Sequence, residues 1–242
     1  LDATGSGMSS ETSWGQPKTT KELVDFVKES GFTTIRIPVS WSTHVDENNN
    51  IDEEWMNRVN EVVDYAIDDG LYVILNSHHD NDKYYPTSEN YENASKYLTT
   101  IWKQIAERFA NYDEQLVFEG MNEPRLANTN KEWWFADNDE DGIDSIETVS
   151  KLDQDFVDTV RAAGGFNETR YLMVPSNRAD AWTAMHKSFT LPTGPANRLI
   201  VSVHAYSPYD FAMNATGYKN WDGSKIGDLS FIDNLKSTDI DN

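Results

Sequence analysis

The segment Phe118-Glu-Gly-Met-Asn-Glu-Pro-Arg125 ends a short apolar run in a carboxylic acid followed by proline. Proline stops a β-ladder because it has no N–H to give. Glu123 is therefore expected at the exit of a buried strand, where lost hydration raises a carboxyl pKa and keeps the group protonated as a general acid. Asn122 beside it can donate from its amide to a hydroxyl. A structural hydrogen-bonding role is the alternative for such a glutamate. Other apolar runs also end in polar residues: Arg36 lies on the first, Asn76, His78 and His79 follow the second, Ser176 and Asn177 the fourth, His204 and Tyr206 the fifth.

Each of these has two readings. Arg36, between Ile35 and Ile37, either lines a cleft or pairs with a structural carboxylate such as Glu119. His78 and His79 are consecutive on an extended segment and point to opposite faces, so no shared metal site is expected. His204 and Tyr206 stand at i, i+2 on one face and either project together into a cleft or form a core hydrogen bond. Trp41 is read as a cleft residue. Trp133, Trp134, Trp182 and Trp221 suit stacking on a ligand or core packing equally well.

The elements that must hold these residues follow from periodicity. Thr19-Thr-Lys-Glu22 reads as a capping box before Leu23, Phe26 and Val27 at helical spacing, with Gly31 as the stop. A strand is expected over 33–39. Asp52 caps a helix carrying Trp55, Val59, Val62, Val63 and Ala66, Gly70 ends it, and Leu71–Leu75 is the next strand. The alternation repeats with a helix from about Asn93 into Leu116–Phe118, and a helix through Val149 and Val160 into Tyr171–Val174. A short helix near Ala181–Met185 leads into Leu199–Val203, and a last helix starts near Phe231 and Leu235. Five strands alternating with helices, apolar on both faces, imply a parallel sheet covered by helices in one α/β domain over 1–242. No GxGxxG or GxxxxGK[ST] occurs, which disfavours a nucleotide-binding doubly wound sheet. Chemistry gathered at the C-terminal ends of many strands is instead the pattern of a (β/α) barrel.

Composition narrows the partners. With no cysteine, a disulfide framework, a thiolate nucleophile and an iron–sulfur cluster are excluded. A net charge of −21 and a pI near 4.4 disfavour DNA, RNA and acidic membrane surfaces. No apolar run approaches the ~20 residues of a bilayer span, and the N-terminal stretch lacks the regions of a signal peptide, as in a processed or trimmed chain. Three sequons, at Asn93, Asn167 and Asn214, are compatible with an extracellular protein. The Asp/Asn-rich stretches at 46–50 and 137–141 are read as solvated loops.

Four blocks together carry a resemblance: Ile35-Arg-Ile-Pro-Val-Ser-Trp41, Val73-Ile-Leu-Asn-Ser-His-His-Asp80, Phe118 to Pro124, and Ser202-Val-His-Ala-Tyr206. In order and spacing the chain resembles the cellulase-type enzymes of glycoside hydrolase family 5, (β/α)8 retaining glycosidases. The resemblance implies that Glu123 is the acid/base, that Asn122 orients the sugar 2-hydroxyl, and that Arg36, His78, His204 and Tyr206 form the polar wall of a cleft, with His79 and Trp41 as further substrate contacts. It implies a secreted endo-β-1,4-glucanase acting on β-glucan without a cofactor; mannan, xylan and xyloglucan are the alternative substrates, and glycan binding without cleavage the alternative role. In the family the nucleophilic Glu ends the seventh strand, so the five strands here are expected to be the second to the sixth of a partial barrel. The chain is then either part of a longer enzyme or a truncated one that self-associates through open barrel edges.

Overall fold

Helix-start chemistry recurs after every apolar run, and this sets the alternation seen in the computed structural model, which describes residues 1, 11–206 and 209–216. Thr20 caps α1 (Lys21–Glu29), its Oγ1 accepting from the Leu23 N–H at 3.4 Å. The cap therefore sits one residue after the expected Thr19. Asp52 caps α2 (Glu53–Asp68) as expected, accepting from the Trp55 N–H at 3.0 Å. Helix α3 spans Tyr91–Arg108. Helix α4 (Glu140–Ala162) is longer than its apolar stretch suggested, because Asp139 provides a cap well upstream and places Asp141 in its first turn rather than in a loop. A short α5 (Ala181–Ala184) and an α6 (Tyr209–Ala212) complete the described helices. The expected helix near Phe231 and Leu235, and Trp221, lie outside the described residues.

The strands are β1 (Thr34–Ile37), β2 (Tyr72–Asn76), β3 (Leu116–Glu119), β4 (Leu172–Pro175) and β5 (Leu199–Ser202). They form one parallel sheet in the order β1-β2-β3-β4-β5, with Arg36 opposite Ile74, Asn76 opposite Glu119, and Pro175 opposite Ser202. The first strand is shorter than the expected 33–39, since Pro38 has no N–H for the ladder. Helices cover β3 fully. Cover thins away from it, with Thr34 of β1, Tyr72 of β2 and Ile200 of β5 exposed, so burial on both faces holds only in the middle of the sheet. The expected core face of α1 is also corrected: α1 packs beside α2 with Val24 buried, while Leu23 and Phe26 face solvent.

Two polar clusters tie the sheet together. At its lower end the buried Arg170 donates to five acceptors, the carbonyls of Phe109, Tyr112, Asp113 and Leu116 and the Asn167 Oδ1, at 2.6–3.0 Å. Burial, with Arg161 nearby, pushes its pKa down to about 10, so the guanidinium remains a cation at neutral pH. Inside the sheet, Glu119 on β3 accepts from Arg36 of β1 (2.7 Å), Asn76 of β2 (3.1 Å) and Ser202 of β5 (2.7 Å). One carboxylate thus gathers three other strands, which requires the sheet to curl in the manner of a barrel wall.

Candidate active site

The strand exits are shaped before they are functional. After β3 the chain passes through Gly120, where a Cβ would lie 2.8 Å from the Phe156 ring, and whose carbonyl accepts from the Trp102 indole at 2.9 Å. Only glycine lets β3 approach its covering helices this closely. Asn122 and Glu123 follow, and Pro124 ends the segment.

Glu123 keeps a side-chain exposure of 15% and shares a 2.7 Å hydrogen bond through Oε1 with the Nδ1 of His204. Its Oε2 lies 3.9 Å from the Nη1 of Arg125. Burial pushes the carboxyl up, as the sequence suggested, but the hydrogen bond and charge of His204, with Arg125 and His78 behind, outweigh it and hold Glu123 below the ordinary glutamate value. The expectation of a raised pKa is thus corrected: the His204 hydrogen bond and the nearby positive side chains stabilise the carboxylate more than lost hydration destabilises it.

Arg36 takes the structural pairing and also reaches Asn122. It pairs with Glu119 at 2.6 Å through Nη2, and the same nitrogen donates to the Oδ1 of Asn122 at 2.8 Å. With its oxygen committed, Asn122 has its amide nitrogen oriented for another acceptor. His78 lies 3.1 Å from the Asn76 amide nitrogen through Nδ1, and its ring meets His79 edge to face at 4.6 Å. Strand β5 ends at Ser202, so His204 and Tyr206 do not share a β face; His204 turns to Glu123 while Tyr206 is 54% exposed.

Trp41 is not a cleft residue. It is fully buried, its indole N–H donating to the Asn76 carbonyl at 3.1 Å and its backbone N–H to the Asp80 carboxylate at 3.0 Å, so no ring face is left for a ligand. Asp80 also takes Ser42 N–H at 2.9 Å and Ser77 Oγ at 2.6 Å, and thereby joins the exits of β1 and β2. Burial nevertheless pushes its pKa above the ordinary aspartate value. Trp133 and Trp134 are exposed, and Trp133 is linked to Glu123 through Arg125. Arg125, which donates to the Glu123 carbonyl at 3.1 Å, stacks 4.4 Å over the Trp133 ring and pairs with Glu132 at 2.9 Å. Trp182 instead packs edge to face on Phe135 at 5.8 Å.

Sequence reasoning missed Asp80 and Arg125, and saw Glu119 only as a possible partner of Arg36. A carboxylate inside a run as apolar as Leu116-Val-Phe118 was the available signal, because a buried charge demands several partners.

The curled parallel sheet agrees with the comparisons. Among curated relatives, endoglucanase A of Ruminococcus albus is 44% identical over 248 residues, covering all of this chain and 66% of that protein. The cellulase/esterase CelE of Acetivibrio thermocellus is 40% identical over 93% of this chain and 27% of its own length. The chain thus spans between about a quarter and two thirds of such relatives. Among solved structures, a lichenase from Caldicellulosiruptor sp. F32 superposes with a TM-score of 0.89 at 45% identity, over 94% of this chain and 64% of that one. A xyloglucan-specific endo-beta-1,4-glucanase from a metagenomic library superposes with a TM-score of 0.85 at 41% identity, over 98% and 70%. The family model of the cellulases, glycosyl hydrolase family 5, matches residues 1–240, and with the sheet and these relatives in agreement, the chain belongs to that family.

Proposed function

We propose that these residues form the acid/base side of a retaining endo-β-1,4-glucanase that cleaves β-glucans. The observation that carries the reading is Glu123 at the β3 exit, with one carboxylate oxygen fixed by His204 and Asn122 oriented beside it by Arg36. Oε2 of Glu123 is the oxygen that would protonate the leaving glycosidic oxygen and later take a proton from water. The Asn122 amide would donate to the sugar hydroxyl next to the scissile bond. His78, His79 and Tyr206 would line the same cleft, and Trp133 and Trp134 offer it aromatic faces.

The mechanism requires a nucleophilic carboxylate about 5 to 5.5 Å from Glu123. No described residue is assigned that part. Its negative charge would raise the pKa of Glu123 by like-charge repulsion, opposing His204 and Arg125, so that Glu123 carries a proton while the nucleophile is free. Once the nucleophile is bonded to the sugar, that repulsion vanishes and Glu123 becomes the base.

The substrate reading is supported by a variant of the Caldicellulosiruptor lichenase in complex with cellotetraose and by the xyloglucan-specific enzyme with cellotriose. A polymeric glucan is met outside the cell, which supports an extracellular location. Reducing-sugar release from carboxymethylcellulose, mixed-linkage β-glucan and xyloglucan tests both parts. Glu123→Gln is expected to lower turnover by roughly 10²- to 10⁴-fold. Undiminished hydrolysis in that variant would remove Glu123 from the mechanism, and a folded chain that binds cellotetraose without cutting it would be either a glycan binder or a piece of the enzyme without its nucleophile.

A further inference from the structure

Glu123 lies beyond β3 and His204 beyond β5, and β4 stands between them in the sheet. Neighbouring strands are about 4.8 Å apart, so the two exits are separated by roughly 10 Å. Their 2.7 Å contact therefore depends on both exits being held.

The turn that leaves β4 touches each of them. The Arg178 N–H donates to the Pro124 carbonyl at 2.8 Å, and the Ala179 carbonyl accepts from the His204 N–H at 2.8 Å. Both turn residues adopt left-handed backbone, with φ of 62° and 49°, although neither is glycine. Such strain persists only where the surroundings over-determine it, and it concentrates at functional sites. The surroundings here are dense: Ala179 N–H donates to the Ser176 carbonyl, Thr183 Oγ1 donates to the Asn177 carbonyl at 2.6 Å, and the buried Arg178 guanidinium lies 4.3 Å over Phe135.

We propose that the Arg178–Ala179 turn is a main-chain brace that sets the separation of Glu123 and His204, which makes Arg178 and Ala179 positioning residues for the acid/base Glu123. The brace acts through backbone groups, so the Arg178 side chain is secondary to it. It deepens the reading of Glu123 as acid/base and rests on that reading only for its effect on turnover.

The test compares Arg178→Gly, which keeps the N–H and accepts the left-handed conformation, with Arg178→Pro, which removes the N–H and fixes φ near −65°. Carboxyl ¹³C titration of Glu123 and amide hydrogen exchange are followed by NMR. In the unmodified chain the Arg178 and His204 amides are expected to exchange as slowly as those of β3 and β4. Arg178→Gly should retain the low midpoint of Glu123. Arg178→Pro, with its circular dichroism intact, should raise that midpoint, because burial persists after His204 has moved away. Where the protein hydrolyses β-glucan, kcat should fall on the order of 10²-fold in Arg178→Pro with KM little changed. A folded Arg178→Pro with an unaltered Glu123 midpoint overturns the brace. Rapid, loop-like exchange of the Arg178 and His204 amides in the unmodified chain does so too, and this readout decides the matter if the proline variant does not fold. Undiminished hydrolysis in Glu123→Gln would sink the acid/base reading alone, because the midpoint and exchange readouts do not depend on turnover.

Discussion

Glu119 and Glu123 lie four positions apart at the end of one strand and take opposite roles. Glu119 is sealed from solvent and spends both oxygens on other strands, whereas Glu123 is partly exposed, bonds His204 through Oε1 and is proposed to use Oε2 on the substrate. Removing the first should therefore damage the fold. Glu119→Ala leaves the Arg36 guanidinium without its counter-ion and Asn76 and Ser202 without their acceptor, an expected loss of about 3–5 kcal/mol in urea denaturation. A loss below about 1 kcal/mol would mean that the hub is not structural. At this scale the sequence was legible where neighbours are local. Glu123 and Asn122 stand out because Asn-Glu-Pro follows an apolar strand, but the sign of the Glu123 pKa depends on His204, which is distant in the chain and has no local signature. Trp41 was misread for the same reason: its indole partner is a backbone carbonyl on another strand.

Helix α4 carries the least satisfied of the described carboxyls. Asp153 is fully buried on it and neither carboxyl oxygen has a hydrogen-bond partner, so burial pushes its pKa well above the ordinary 3.8. The folded chain holds this group protonated while the unfolded chain ionises it, so its contribution to stability falls as pH rises through and beyond 3.8. Asp153→Asn removes that penalty. The variant should match the parent in urea denaturation near pH 4 and exceed it by a widening margin toward pH 7; an equal margin at both would show that the carboxyl is already satisfied. The start of α2 was readable because Asp52 caps it, whereas the end of β1 was read past Pro38, whose missing N–H stops the ladder at Ile37. The left-handed turn at Arg178 and Ala179 was not, because neither residue type prefers that conformation and only tertiary bonds hold it there. The exposed face of α1 was equally hidden, since periodicity shows that a helix has an apolar side and not what covers it.

Among the described residues the sheet ends in β1 on one side and β5 on the other, with Leu23, Phe26 and Phe32 exposed near the first edge. Unpaired edges and apolar side chains favour association, while a charge of −21 opposes it. Sedimentation velocity of the 242-residue chain should show species that grow with concentration and with added salt, which screens the repulsion. A monomer at every salt concentration would mean that the edges are covered. The parallel βαβ order was legible at this scale because it rests on alternation alone, whereas the curl of the sheet rests on contacts that pair distant residues. That curl also has a kinetic side. Glu119 lies 83 positions after Arg36 and 83 before Ser202, so its carboxylate waits midway along the chain for partners from both directions. Closure over such sequence distances is slow, and a ribosome releases Ser202 long after Glu119. Arrival of β5 is then the event that seals the interior, and the nascent chain is expected to be most vulnerable to proteolysis and misassociation just before it.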